Sequence, residues 1–138
     1  MLIYAIAYAV ALVAFTAIDV TWLSSVGARL YKETLGDILA TDIRMAPAIV
    51  FYLFYPLGIV TFAVDPALKQ GAISSALLNG ALFGLFTYGT YELTNFATLR
   101  NWTLSITAID MAYGAVASAV VAAIATALTP SIVRWFGN

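Results

Sequence analysis

Residues 72–93 read AISSALLNGALFGLFTYGTYEL, and the chain runs on through TNFATLR to Arg100. The first part is apolar and long enough to cross a bilayer, since about 20 helical residues span about 30 Å of hydrocarbon. Taken every fourth residue, Ala76, Gly80, Gly84, Tyr88 and Glu92 fall on one helical face. Gly80 and Gly84 form a GxxxG pair, which lets a second helix come close. The small face runs directly into an acid, and Tyr91, Thr94, Asn95 and Arg100 follow within a few turns. Polar atoms at the end of an oily helix are costly, so this cluster sets the question for the whole chain.

Outward from it, the other apolar runs are 2–24, 46–64 and 102–128. Over 138 residues the chain is 63% hydrophobic and 9% charged, against about 45–50% and about 25% in soluble domains. A soluble chain this short could not hide that much apolar surface. The expected fold is therefore all-α: a single transmembrane domain, residues 1–138, with four transmembrane helices in an up-down-up-down bundle. The first run exceeds a signal-peptide core and lacks a basic leader, so it reads as a retained span. In the second, Pro47 suits a first helical turn, Pro56 is expected to kink the helix, and Asp65-Pro66 to end it. In the fourth, Asp110, Gly114, Ser118, Ala122 and Thr126 again share a face, and Pro130 is expected to stop the helix. Between the first two spans, residues 25–45 carry most of the charge. There Tyr31, Leu35, Ile38 and Leu39 recur at helical spacing, so an interfacial amphipathic helix and a solvated loop are both open readings, with Gly36 a breaking point.

Composition also excludes chemistry. There is no Cys and no His, which removes thiolate nucleophiles, disulfides, iron–sulfur clusters and His-ligated metals. Neither a metal nor a cofactor is expected, and a net charge of −1 leaves no footprint for nucleic acid. No nucleophile elbow or phosphate loop occurs.

An alternating topology brings the acids to one side. Asp19 lies about five residues in from the end of the first span and Asp110 about eight into the fourth, hence roughly 8–12 Å deep. Glu92 ends the third span on that side. Asp19, Glu92, Asn95, Asp110, Tyr88, Tyr91 and Tyr113 are thus the candidate substrate- or proton-binding residues, with Arg44 and Arg100 as charge partners and Gly80, Gly84, Gly114 and Ser118 as packing residues. Four basic residues on this side against two opposite favour a cytoplasmic acid end and outside termini. Thr16-Ala-Ile-Asp19 repeats as Thr107-Ala-Ile-Asp110, each followed three residues later by an aromatic. Such an internal repeat fits two related hairpins. Trp22, Trp102 and Trp135 read as interface-belt residues, Tyr4, Tyr8, Tyr52 and Tyr55 as belt or packing residues, Lys69 as a loop charge.

The stretch from Tyr88 to Leu99, with Asp19-x-x-Trp22-Leu23 early and Asp110-x-x-Tyr113-Gly114 late, resembles the signature of a bacterial family of predicted membrane proteins of unknown function. Members often carry Asp where this chain has Glu92. The resemblance covers nearly the whole chain and implies four helices, a bacterial inner membrane and a grouping of Asp19, Glu92, Asn95 and Asp110. Three function classes follow. The first is a transporter-like or binding module, with the acids as a proton or cation site and a homodimer formed through Gly80 and Gly84. The second is an accessory subunit associating with other membrane proteins, its acids serving as clamps. The third is an intramembrane enzyme acting on lipid with a carboxylate pair. Three acids exceed what a clamp needs, which favours the first.

Overall fold

In lipid every backbone N–H and C=O must be satisfied within the segment, so an apolar chain of this composition forms long helices. The computed structural model describes residues 1–136, and among them the only regular structure is helical. Four continuous helices account for nearly all of it: α1 (Leu2–Leu35), α2 (Met45–Gln70), α3 (Ile73–Thr98) and α4 (Leu104–Phe136). Three of them, α1, α2 and α4, are long and apolar enough to cross a membrane. α3 has the length, and its second half carries Thr87, Thr90, Glu92, Thr94 and Asn95. Its threonine hydroxyls donate back to carbonyls one turn earlier, as from Thr90 to Phe86 at 2.7 Å and from Thr94 to Thr90 at 2.6 Å.

The helices run further than the apolar runs suggest. α1 continues through Ser24 and Ser25 by a wide π-helical turn, Leu23–Gly27, and ends only at Leu35, beside Gly36. The hydroxyls of Ser24 and Ser25 donate to the carbonyl of Thr21 at 3.2 and 2.6 Å, meeting a backbone acceptor beside the wide turn. Residues 28–35 are therefore an extension of the first helix rather than a separate element in the connection. Asp65-Pro66 does not end α2. A second wide turn, Val60–Val64, lies just before it, and the helix closes at Gly71, whose positive φ of 66° and N–H bond to Ala67 make a left-handed cap. Pro56 is buried inside α2. Pro130 does not stop α4, which runs to Phe136. Pro130 removes only the bond to the Thr126 carbonyl, and beside it Thr129 Oγ1 donates back to Ala125 O at 2.6 Å.

Packing follows the two small-residue ladders. Ala76, Gly80 and Gly84 on α3 face Gly114, Ser118 and Ala122 on α4, all of them buried. A methyl group built on Gly80 would lie 2.7 Å from Ser118 O and 2.8 Å from Ala119 Cα, and one on Gly84 would collide with the Gly114 carbonyl. This face is filled by α4 of the same chain, so Gly80 and Gly84 pack helices within the chain. Neighbouring helices meet head to tail: Tyr4 with Asp65 and Tyr52 with Asp19 join α1 to α2, Tyr113 with Asp19 joins α4 to α1, and Gly84 with Gly114 joins α3 to α4. The main core holds Ala7, Ala11, Phe15, Ile59, Val64 and Val121. A second small core of Leu35, Trp102 and Ile106 closes the end where the acids lie.

Candidate functional site

The three acids are buried: Asp19 is 5% exposed, Glu92 0% and Asp110 2%. They sit at one end of the bundle, on α1, α3 and α4, but in two different settings. Asp19 is saturated. Tyr52 of α2 donates to its Oδ2 at 2.5 Å and Tyr113 of α4 to its Oδ1 at 3.0 Å. Trp22 stacks on the Tyr113 ring at 4.2 Å, which fixes that phenol.

Glu92 and Asp110 form the second setting. Their carboxyl groups are close enough to feel each other's charge, and both side chains line one cavity. Trp102 Nε1, from the α3–α4 connection, donates to Glu92 Oε2 at 2.8 Å. The Tyr31 hydroxyl donates to Asp110 Oδ2. Each acid thus has one oxygen bound to an aromatic donor. The other two, Glu92 Oε1 and Asp110 Oδ1, are buried with no hydrogen-bond partner. Buried polar atoms are nearly always paired, and an unpaired one costs about 1–3 kcal/mol.

Both acids line a cavity of about 360 Å³. Five aromatic rings form much of its wall: Tyr31, Phe51, Tyr55, Tyr88 and Tyr91. Thr87 completes it, its hydroxyl 3.0 Å from that of Tyr55, which in turn lies 2.9 Å from Ser118 Oγ. No Lys or Arg is among the lining residues. The backbones of α2 and α3 come together at the turn Val60–Val64 and diverge before it. Of the lining residues, Phe51 (40% exposed) and Tyr91 (58% exposed) are the two that reach the surface of the bundle.

The wide turn in α1 helps to make this site. Its extra residue rotates the helical face beyond Gly27, and Leu30, Tyr31 and Leu35 fold onto Trp102 and Ile106. Tyr31 thereby reaches Asp110, 79 positions away in sequence.

Of the residues expected from the sequence, Glu92, Asp110, Tyr88 and Tyr91 meet at the cavity, while Asp19 and Tyr113 form the adjacent hydrogen-bonded pair. Asn95 is partly buried one turn beyond Glu92 and is not a lining residue. Arg44 and Arg100 are exposed, and the one ion pair among the described residues is Lys69 with Asp65 at 2.8 Å, at the far end. Lys69 is thus more than a loop charge, and Asp65 also accepts from Tyr4 at 3.0 Å. Trp102 is 7% exposed and bonded to Glu92, which overturns its reading as a belt residue. Tyr52 and Tyr55 likewise act through their hydroxyls inside the bundle. Sequence reasoning missed Tyr31, Phe51, Tyr55, Thr87 and Trp102 as parts of the site. The spacing of Tyr31 ahead of Leu35 was the one signal available.

Among the described residues no group of three or more His, Cys, Asp or Glu side chains could hold a metal ion. The arrangement suits a proton or a single positive charge held between two carboxylates. A family model described as predicted membrane protein, DUF2177, matches residues 4–127. Neither a curated protein nor a solved structure matches the chain.

Proposed function

The chain belongs to the predicted membrane protein family DUF2177, and from that premise we propose that it is a small transporter-like or binding module whose working group is the Glu92–Asp110 carboxyl pair. One observation carries the reading: Glu92 Oε1 and Asp110 Oδ1 are buried without a protein donor, and they belong to two acids that line one cavity. Two neighbouring carboxylates repel when both are ionised, so the pair holds a proton or a cation between them. A structural clamp uses its oxygens on protein donors, as Asp19 does. A pair that leaves two oxygens free is arranged for something that comes and goes.

In this reading all four helices cross the bilayer, up-down-up-down, with α3 shielded by α4 along the glycine seam. The chain lies in a bacterial inner membrane, the acid end faces the cytoplasm and both termini lie outside. Because the chain has no cysteine, single cysteines at Asn101 and Lys69 label the two ends cleanly. Asn101→Cys reacting only from inside and Lys69→Cys only from outside supports this orientation, and the reverse pattern removes it. The accessory-subunit alternative predicts co-migration with a larger complex after gentle extraction; migration of the chain alone speaks against it.

The site itself is tested by infrared difference spectroscopy of the protein in lipid across pH 5–8. A carboxylic C=O band that disappears as pH rises, and that is absent from Glu92→Gln and Asp110→Asn, is the expected result. A band unchanged in both variants would remove the pair from the mechanism.

A further inference from the structure

From the lining of the cavity and its two free carboxylate oxygens, we infer that the site takes a protonated primary or secondary amine carrying an apolar body. The inference rests on the proposed role of the Glu92–Asp110 pair and names the ligand that pair would hold.

The chemistry of the wall narrows the choice. A hard metal cation needs six or more oxygen ligands. Here the two carboxyls are joined only by phenols, of which Tyr31 and Tyr55 are already engaged, and by one threonine hydroxyl. Among the described residues no three acidic side chains gather to hold a metal. An anion finds no basic residue in the lining. A monocation matches the charge: an ammonium group between the two carboxyls takes the place of a proton there and brings N–H donors to both. Five aromatic rings present faces and edges that attract an ammonium group while accepting hydrocarbon.

The free oxygens then select among ammonium ions. Glu92 Oε1 and Asp110 Oδ1 lack donors, and a primary or secondary ammonium has at least two N–H groups to give them. A quaternary ammonium has none and would leave both oxygens unpaired. A volume of about 360 Å³ holds a small organic cation, and a longer apolar body would extend past Phe51 and Tyr91, the exposed residues of the lining. The same ammonium chemistry occurs in a free alkylamine and in the headgroup of an ethanolamine phospholipid. The phospholipid also brings a phosphate, for which the cavity wall has no cation.

The test uses the full chain in phosphatidylcholine nanodiscs, with binding read from Trp and Tyr fluorescence and from the melting temperature. The probes are n-octylamine, N,N,N-trimethyloctylammonium and 1-octanol. A separate arm uses nanodiscs containing phosphatidylethanolamine, with native mass spectrometry to detect retained lipid. The expected result is saturable octylamine binding at least tenfold tighter than the trimethyl analogue, and no saturable binding of octanol. Stoichiometric retention of phosphatidylethanolamine that octylamine displaces would assign the ammonium to a lipid headgroup and support the inference from that source. Equal binding of all three probes would overturn it.

Thr87→Leu separates this inference from the reading it rests on. That variant fills the cavity while leaving both carboxyls in place. It should lose octylamine binding at least tenfold and keep the pH-sensitive carboxyl band. Octylamine binding unchanged in folded Thr87→Leu would overturn the inference alone. A wild-type protein with the band and no amine binding would do the same, and loss of both in the wild type would overturn the inference and the carboxyl-pair reading together.

Discussion

Asp19 and Asp110 stand at the same place in the same four residues, Thr-Ala-Ile-Asp, on α1 and α4. Both are buried near one end of the bundle. Around Asp19 two tyrosines, from α2 and α4, close on both oxygens. Around Asp110 one tyrosine satisfies one oxygen, a second acid lines the same cavity, and the remaining oxygen is buried without a partner. One local sequence thus leads to two environments, because what surrounds each acid comes from other helices. On the proposed reading the two regions differ in kind: the first is a clamp and the second the working site.

Substitutions can break or sharpen this contrast. The largest effect is expected at Gly84→Leu, since even a Cβ there meets the Gly114 backbone, which cannot swing aside. Separating α3 from α4 would disrupt both regions at once. Loss of about 3 kcal/mol or more is expected, at the upper end of overpacking effects, read as a collapse of the melting temperature in detergent. Asp19→Ala comes next. It leaves the Tyr52 and Tyr113 hydroxyls without their acceptor, and unmade buried hydrogen bonds cost about 1–3 kcal/mol. Thermal unfolding should report that loss while the carboxyl band of the other region persists. Glu92→Gln keeps an oxygen for Trp102 and removes one of two repelling charges. Its stability change should be below about 1 kcal/mol in either direction, since a retained hydrogen bond is set against a relieved repulsion, with the carboxyl band gone. Should Asp19→Ala and Glu92→Gln behave alike in both assays, the two regions would not differ in kind. The smallest effect is Tyr4→Phe at the far end, where the bond to Asp65 is exposed; surface changes of this sort fall within about 0.5 kcal/mol.

Much of this was legible in the sequence, and the reason is periodicity. Steps of four placed Gly80, Gly84 and Glu92 on one face of α3 and Asp110, Gly114 and Ser118 on one face of α4, and these are the faces that are buried. The apolar runs gave the helices, though not their ends. Ends depend on details that hydropathy does not carry: hydroxyls that meet carbonyls at a wide turn, as at Ser24 and Ser25, or beside a proline, as at Thr129.

The partners of the acids were the least legible. An aromatic residue near the end of an apolar run suits a membrane interface and an internal hydrogen bond equally well. Trp102 and Trp135 look alike in sequence, yet Trp102 is sealed under Leu35 and Tyr31 while Trp135 is 76% exposed. The difference is made by the extension of α1, which sets Tyr31 and Leu35 on Trp102; the amphipathic helix open as a reading of the connection exists, but as a continuation of the first span. The expected arginine partners followed from charge alone. Arg44 and Arg100 are exposed instead, and burial among phenols and an indole takes their place.

The central claim is that Glu92 and Asp110, and not Asp19, form the group that changes state. Infrared difference spectra recorded in lipid on the wild type, Glu92→Gln, Asp110→Asn and Asp19→Asn test it most directly. The account predicts a pH-sensitive carboxylic band in the wild type and in Asp19→Asn, and its absence from the other two. A band that survives in Glu92→Gln and Asp110→Asn but vanishes in Asp19→Asn would contradict it.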